Sequence, residues 1–575
     1  MKKCIYLFIQ IFFLLVFVSC EDFLDVPAKG IISDEQLATP ENIDGLVIAA
    51  YAQMANDHYT VPNSLWPYGD LRAGDSYKGG DGPADIATFH AFEIFSTIQP
   101  DMSTYPPSAL GDINNKMWER QFVGISRANS ALARINIMDE ATYPKKLSRT
   151  AEMRFLRGHY FFTLKILYKN IPWFDENVSL TDIEKISNVA YTDQELWDQI
   201  IQDFDFAANN LPASQEDVGR PNKFTAKAYL AKAYLYAAYE QDDKNNVISI
   251  DQDKLTKVVD LVDEVIGSDT YGLEADFAYP FLWENENGKE SVWAIQRSIN
   301  DGTATGNVDY SSMLNNPMSE NFGCCGFHQP SQNLANSFKT DANGHPLFDT
   351  FNTSDIDFSV NTVDPRFDHS IAMPGKPWKY KSDLIYTNDW ARRSDIYGFY
   401  SSMKENVSPD CECFNRLNPF MSSSKNTILI RFADVLLWKA EALIELNRES
   451  EAMPIINDIR LRAKQSTGLL KDSQNNALSN YNIEAYTADL WTNEYARKAL
   501  QWERRLEFAL EGQRFFDLVR WGIADNVIND YLTVEKTKRA YLMDAQFQKN
   551  KNEYLPIPYQ QIVLSKGVYM QNYGY

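Results

Sequence analysis

The sequence predicts a mostly α-helical protein, a scaffold of helix hairpins overlaid by a large, ordered, loop-rich lobe. Three observations carry that expectation. Several segments repeat apolar side chains at three- and four-residue spacing, with alanine at close-packing positions. Short links between these segments suit antiparallel helix pairs like tetratricopeptide hairpins, although no strict repeat length holds. From about residue 272 to 427 the texture changes to Gly, Pro, Asn, Asp and Ser with scattered aromatics and no sustained helical period. So long an irregular stretch is usually functional or disordered, and its aromatic content argues for order.

The chain opens with MKKCIYLFIQIFFLLVFVSC. Lys2 and Lys3 precede an apolar run from Ile5 to Val18 that is too short for a spanning helix. That is a secretory signal over residues 1–19. Its end, Ser19-Cys20, resembles a bacterial lipobox in which Cys20 becomes the acylated first residue, with Phe17 standing where an aliphatic residue is usual. No later run is long enough to cross a bilayer, so a lipid anchor alone is expected to hold the mature chain, residues 20–575, to a membrane.

The helices follow in order. RTAEMRFLRGHYFFTLKILY (149–168) places Met153, Leu156, Tyr160, Leu164 and Leu167 on one side and stops before Pro172. DQELWDQIIQDFDFAANNL (193–211) has Asp193 as its expected N-cap and Pro212 as its terminator. KFTAKAYLAKAYLYAAY (223–239) carries Ala226, Ala228, Ala231, Ala233, Ala237 and Ala238, which let neighbouring backbones approach. DKLTKVVDLVDEVI (253–266) ends at Gly267. Helical sequence returns at 430–446, at 451–464, and over 493–519 as one long helix. The expected division is a helical-repeat part over about 20–270, the lobe over about 272–427, and C-terminal helices and tail over about 428–575. In the last long helix Glu503, Arg504, Arg505, Glu507 and Glu511 lie at spacings that support ion pairs, so a structural role is expected of them.

Composition excludes some partners. A net charge of −23 argues against nucleic acid, whose binders need a basic footprint, and against anionic lipid as a main partner. Neutral ligands remain, and 31 Tyr and 33 Phe supply rings that suit flat, weakly polar ones such as sugars. No H-E-x-x-H, G-x-S-x-G or phosphate-cradling glycine loop appears. DANGH (341–345) is a turn, because Asn352 stands where a calcium loop needs glutamate. No enzyme activity, cofactor or metal is expected.

Beyond Cys20 the mature chain has Cys324, Cys325, Cys411 and Cys413, which an oxidising compartment turns into disulfides. Either Cys324 joins Cys325 and Cys411 joins Cys413, or the two pairs staple their loops together. Adjacent Cα atoms lie about 3.8 Å apart across a trans peptide, under the usual disulfide spacing, so a vicinal bond stiffens its loop. It also presents a compact, polarisable sulfur surface on which a sugar ring can pack. A zinc site including His328 would lack the matched second cysteine pair.

Taken together, CEDFLD, AEMRFLRGHYFFTLKILY, GRPNKFTAKAYLAKAYLY, IRFADVLLWKAEALIELN, INDIRLRA, WERRLEFALEGQRFFDLVRWG and YLPIPYQQI…MQNYGY resemble, in order, the SusD-like (SusD/RagB) outer-membrane nutrient-binding lipoproteins of Bacteroidetes. The resemblance implies a surface lipoprotein that captures oligosaccharides and delivers them, as a lid, to a SusC-type TonB-dependent transporter. GCCGFHQPSQNL, NSLWPYGDLRAGDSYKGG and YGFYSSMKENVSPDCEC are most similar to the branch that binds fructans, levan in particular. That similarity carries Asp85, Cys324 and Arg392 over as glycan-binding residues. Phe420 keeps the ring but not the hydroxyl of the branch's tyrosine, and His58 and Tyr59 stand in for changed polar positions. The aromatic platform expected near Met102 is not a tryptophan here, with Tyr105 close by. Trp66, Tyr68, Tyr77, Trp378 and Trp390 are loop aromatics expected to serve packing more often than ligand. A helical-repeat scaffold that binds a peptide or protein is the alternative, and a surface glycosidase a third reading.

Overall fold

A computed structural model describes residues 38–96, 113–417 and 420–575. The signal segment, Cys20, Met102 and Tyr105 lie outside the described residues. The helical scaffold comprises α1 (Pro40–Ala55), α2 (Trp66–Ala73), α3 (Ala87–Ile94), α4 (Ile113–Ile137), α5 (Lys146–Tyr168), α6 (Asp193–Asn210), α7 (Lys223–Ala238) and α8 (Gln252–Ile266). After the lobe come α9 (Phe432–Glu445), α10 (Glu449–Gln465), α11 (Asn493–Glu507), α12 (Arg514–Arg520) and α13 (Ala524–Glu535). Neighbours in sequence pack as hairpins, α4 on α5, α6 on α7, α7 on α8 and α9 on α10. The tetratricopeptide-like arrangement and the loop-rich lobe are both present. No helix among the described residues is long and apolar enough to cross a membrane.

Local chemistry explains the boundaries. The predicted stripe of α5 is fully buried, but so are Phe155, Phe161 and Tyr168 on its other faces. The six alanines of α7 are buried too, so it sits between α6 and α8 with little side-chain bulk. Asp193 is not the N-cap of α6. Thr192 is, because Thr192 and Glu195 form a reciprocal capping box, and Asp193 pairs instead with Lys165. Ile430 and Arg431 end a strand rather than begin a helix, since Thr427–Arg431 pairs antiparallel with Ser291–Ile295.

The single helix expected over 493–519 is two. The chain turns between α11 and α12, with Leu510 and Gly512 in the left-handed region. A Cβ on Gly512 would stand 1.9 Å from the Ser64 carbonyl oxygen, and one on Gly69 would stand 1.9 Å from that of Gly512. Backbone touches backbone here, so neither neighbour can yield. Gly69→Ala is expected to lower stability by about 2 kcal/mol or more, as overpacking and strain together do. A thermal midpoint equal to that of the parent would refute this.

The lobe carries short two-stranded ribbons rather than bare loop. β1 (Ser76–Gly79) pairs antiparallel with β3 (Phe327–Pro330), with Tyr77 opposite Gln329. β2 is Ser291–Ile295, whose partner β6 is Thr427–Arg431. β4 (Phe414–Leu417) forms a hairpin with β5 (Phe420–Ser423). Phe322, Trp378, Tyr386, Trp390 and Met403 make a separate hydrophobic cluster inside the lobe.

A buried ion network joins lobe to scaffold. Glu503 meets Arg366 at 2.5 Å and Arg460 at 3.1 Å. Glu507 meets Arg462 at 2.5 Å, Arg431 at 2.9 Å and Arg366 at 3.1 Å. Arg504 bonds Asp434 and Asp517, and Arg505 bonds Asp75. The role is structural, but the partners lie on other elements rather than along the same helix.

Candidate functional site

The site is built on the β1–β3 ribbon and its two flanking loops. Past β1 the chain runs KGGDGPAD, and buried Lys78 folds this loop by donating to the carbonyls of Gly79 (2.9 Å), Gly82 (2.9 Å) and Asp85 (2.6 Å). Burial pulls the Lys78 ammonium down to about 8, against the attraction of Glu93 and Asp85. The loop closes where the Gly80 amide donates to the Gly326 carbonyl at 2.9 Å. Gly80 is required there: its φ is +71°, and a Cβ would stand 2.5 Å from the Phe327 ring and 2.8 Å from an Asp85 carboxylate oxygen.

Asp85 is thereby aimed at Arg392. The guanidinium donates from Nη1 to Asp85 Oδ2 at 3.2 Å and to the Cys325 carbonyl at 3.4 Å, while Asp81 lies 3.7 Å from Nη2. Both Asp85 and Arg392 are partly exposed, at 31% and 24% of their side chains. Cys324 and Cys325 are joined to each other across a cis peptide with Cα atoms 3.1 Å apart, and Cys411 is joined to Cys413. Cys325 is buried and Cys324 partly exposed. Three of the expected residues thus meet at one rim: a carboxylate, a guanidinium and a sulfur pair.

The rings form a second group. His58 and Tyr59 have ring centroids 3.9 Å apart, and Tyr59 and Phe420 6.2 Å. His58 is exposed, and Tyr59 and Phe420 half-buried. Burial and nearby Lys116 and Arg120 hold the His58 imidazole below its ordinary pKa, so it is neutral at pH 7. Asp57 is not available to a ligand, being buried against Arg297 at 2.7 Å. Asn316 links the groups: its carbonyl accepts from Gly326 at 2.9 Å, and its amide donates to the Met421 carbonyl at 3.0 Å. Trp66, Tyr68, Tyr77, Trp378 and Trp390 are all buried packing residues.

Sequence reasoning missed what lies beneath the sulfur pair. His328 on β3 sits between two carboxylates, Nδ1 2.7 Å from Glu405 and Nε2 3.1 Å from Asp70, with its ring stacked on Trp66. It faces these rather than the cysteines, and no group of three metal-ligating side chains gathers among the described residues. Burial opposes the charge on the imidazole, but Glu405 and Asp70 outweigh it and lift the pKa to about 9. Burial also lifts Asp70, to about 6, so Asp70 and His328 are both charged at pH 7. A histidine raised from 6.5 to about 9 on folding adds stability that is complete below pH 6.5 and lost as pH rises through 9. Between pH 7 and 10 the protein is expected to lose about 3 kcal/mol through this residue, at 1.36 kcal/mol per unit. Denaturant titrations of the parent and His328→Gln at both pH values check it. An equal slope with pH in the two proteins would exclude His328 as the cause.

Residues 289–575 match the profile of the SusD family, and residues 85–235 a second profile described as starch-binding and associating with the outer membrane. SusD-like protein P25 of Formosa agariphila is 23% identical over 555 residues, spanning 91% of this chain and 90% of its own. The SusD superfamily protein of Bacteroides vulgatus superposes with a TM-score of 0.66 at 20% identity, over 93% of this chain and 99% of that one. Surface glycan-binding protein A of Bacteroides thetaiotaomicron, solved with laminarihexaose, gives 0.64 at 21% identity, over 93% and 99%. With its fold and two profile matches in agreement, the chain belongs to the SusD family of non-catalytic binding proteins.

Proposed function

We propose that the protein captures neutral oligosaccharides at the Asp85–Arg392–Cys324 rim and passes them to a SusC-type TonB-dependent transporter, over which it closes as a lid. A lipid on Cys20 would hold it at the outer-membrane surface. The observation that carries this reading is the partly exposed Asp85–Arg392 pair set against the vicinal disulfide. Adjacent sugar hydroxyls can donate to the carboxylate and accept from the guanidinium fork. The sulfur pair, Tyr59 and Phe420 offer apolar surface to the C–H face of a ring. Sharing a ligand between lid and barrel lets modest contacts add to a tighter closed state.

Two ligand classes have support. Resemblance around GCC and KGG favours fructans, and a structural relative holds laminarihexaose. Isothermal titration against levan-type, laminarin-type and other neutral oligosaccharides is expected to give saturable binding to one class. Absence of binding to all of them at about millimolar concentration, an affinity near 4 kcal/mol, would overturn the glycan reading. Co-purification from outer membranes tests the transporter separately.

A further inference from the structure

The lobe also holds a cavity of about 310 Å³. It is lined by Trp283, Lys379, Lys381, Glu284, Glu412 and Cys411, among others. We infer that this cavity is a second carbohydrate subsite, for one neutral sugar unit of a longer chain, with Trp283 as its platform and the Lys379 nitrogen as its buried polar contact. The inference rests on the glycan-binding reading above.

Trp283 is partly exposed, belongs to none of the three hydrophobic clusters, and has no aromatic neighbour among the described residues. It differs in this from the buried Trp66, Trp378 and Trp390, which packing accounts for. An indole left at a cavity wall offers an unspent apolar face. Lys379 is 7% exposed and donates to the carbonyls of Met403 (2.8 Å) and Phe281 (3.3 Å). A lysine nitrogen offers three hydrogen-bonding positions, as three N–H groups or as two and a lone pair. One of these positions is left without a protein partner among the described residues, and burial with nearby Lys425 pushes the Lys379 pKa well below the usual lysine range, against the pull of Glu284. The Lys381–Asp410 pair at 2.7 Å neutralises one acid of the wall. Glu284 and Glu412 remain as acceptors for hydroxyl groups and leave the lining negative, which disfavours an acidic sugar. Cys411, disulfide-bonded to Cys413, belongs to the same lining.

Both places are mounted on the same rigid support. Phe322, two residues before Cys324, packs on Trp378 at 5.2 Å and on Phe414 at 6.1 Å, and the Trp378 indole donates to the carbonyl of cavity residue Val407 at 3.1 Å. Two subsites held at fixed spacing favour a polymer over a short fragment, because the second contact is intramolecular.

Trp283→Ala, Trp283→Phe, Glu284→Gln and Arg392→Ala should be compared with the parent on levan and laminarin polymers by affinity electrophoresis. Short levan oligosaccharides and laminarihexaose are titrated calorimetrically, and thermal midpoints report folding. Trp283→Ala is expected to weaken polymer retention about tenfold or more while leaving short-fragment affinity within about twofold. Glu284→Gln, at an exposed position, should weaken retention in the same direction, and Trp283→Phe should keep most of it. Parental retention by Trp283→Ala and Glu284→Gln, with Arg392→Ala deficient, would overturn the second subsite alone. So would loss of short-fragment binding in a folded Trp283→Ala. A parent protein that binds neither glycan removes both readings.

Discussion

Glu507→Ala is expected to cost about 3–5 kcal/mol, a large part of the total stability of an ordinary domain. Glu507 is completely buried in α11 and faces the guanidiniums of Arg462, Arg431 and Arg366. Burial by itself would raise its pKa, but these three cations override it and hold the carboxyl far below the usual carboxylate range. Arg431 and Arg462 also share Glu290, and Arg366 shares Glu503 and Asp364. Truncation therefore leaves excess positive charge in a dry interior, which is costlier than the loss of one contact. Glu494→Ala, on the exposed first turn of the same helix, should change stability by less than about 0.5 kcal/mol. Denaturant midpoints of the two variants separate network from surface. Equal midpoints would mean that the network contributes nothing.

The second large effect concerns ligand. Arg392→Ala is expected to weaken oligosaccharide binding about tenfold to a hundredfold, since a hydrogen bond from a charged donor is worth about 1.5–3 kcal/mol. Asp85→Asn should act in the same direction. Neither should unfold the protein, because the pair is partly exposed and such pairs contribute about 0–1 kcal/mol. Calorimetric titration alongside a thermal melt reads both quantities. Unaltered affinity in a folded Arg392→Ala protein would move the binding site elsewhere, the groove between helix hairpins being the next place to look.

The scaffold was largely legible before any coordinates. Alanine spacing and apolar stripes marked α5 to α8 closely, because those helices are specified by what they bury. The N-cap of α6 was misassigned by one residue, although Thr192 and Glu195 stood in the sequence as a capping box. The break between α11 and α12 was not legible. It depends on Gly512 meeting Ser64 and Gly69 far away in the chain, and a local pattern holds no trace of that contact. The partners of Glu503 and Glu507 were hidden for the same reason. At the site, Asp85 and Arg392 came from family resemblance, since nothing in the spacing of residues 307 apart says that they pair. His328 was noticed only as a metal candidate, because Asp70 and Glu405 lie 258 and 77 residues away from it.

The Arg392 guanidinium has its own carboxylate in hand before any sugar arrives. Only its Nη1 is hydrogen-bonded among the described residues, to Asp85 and to the Cys325 carbonyl, so on the proposed reading an incoming hydroxyl would meet the remaining N–H groups of a fork that Asp85 already holds in place. When the sugar left, the guanidinium would keep that anchor, so neither docking nor release would need the side chain to be ordered afresh. A rim of that kind would exchange cargo with little rearrangement, which suits the proposed carrier, whose task ends in surrender rather than storage.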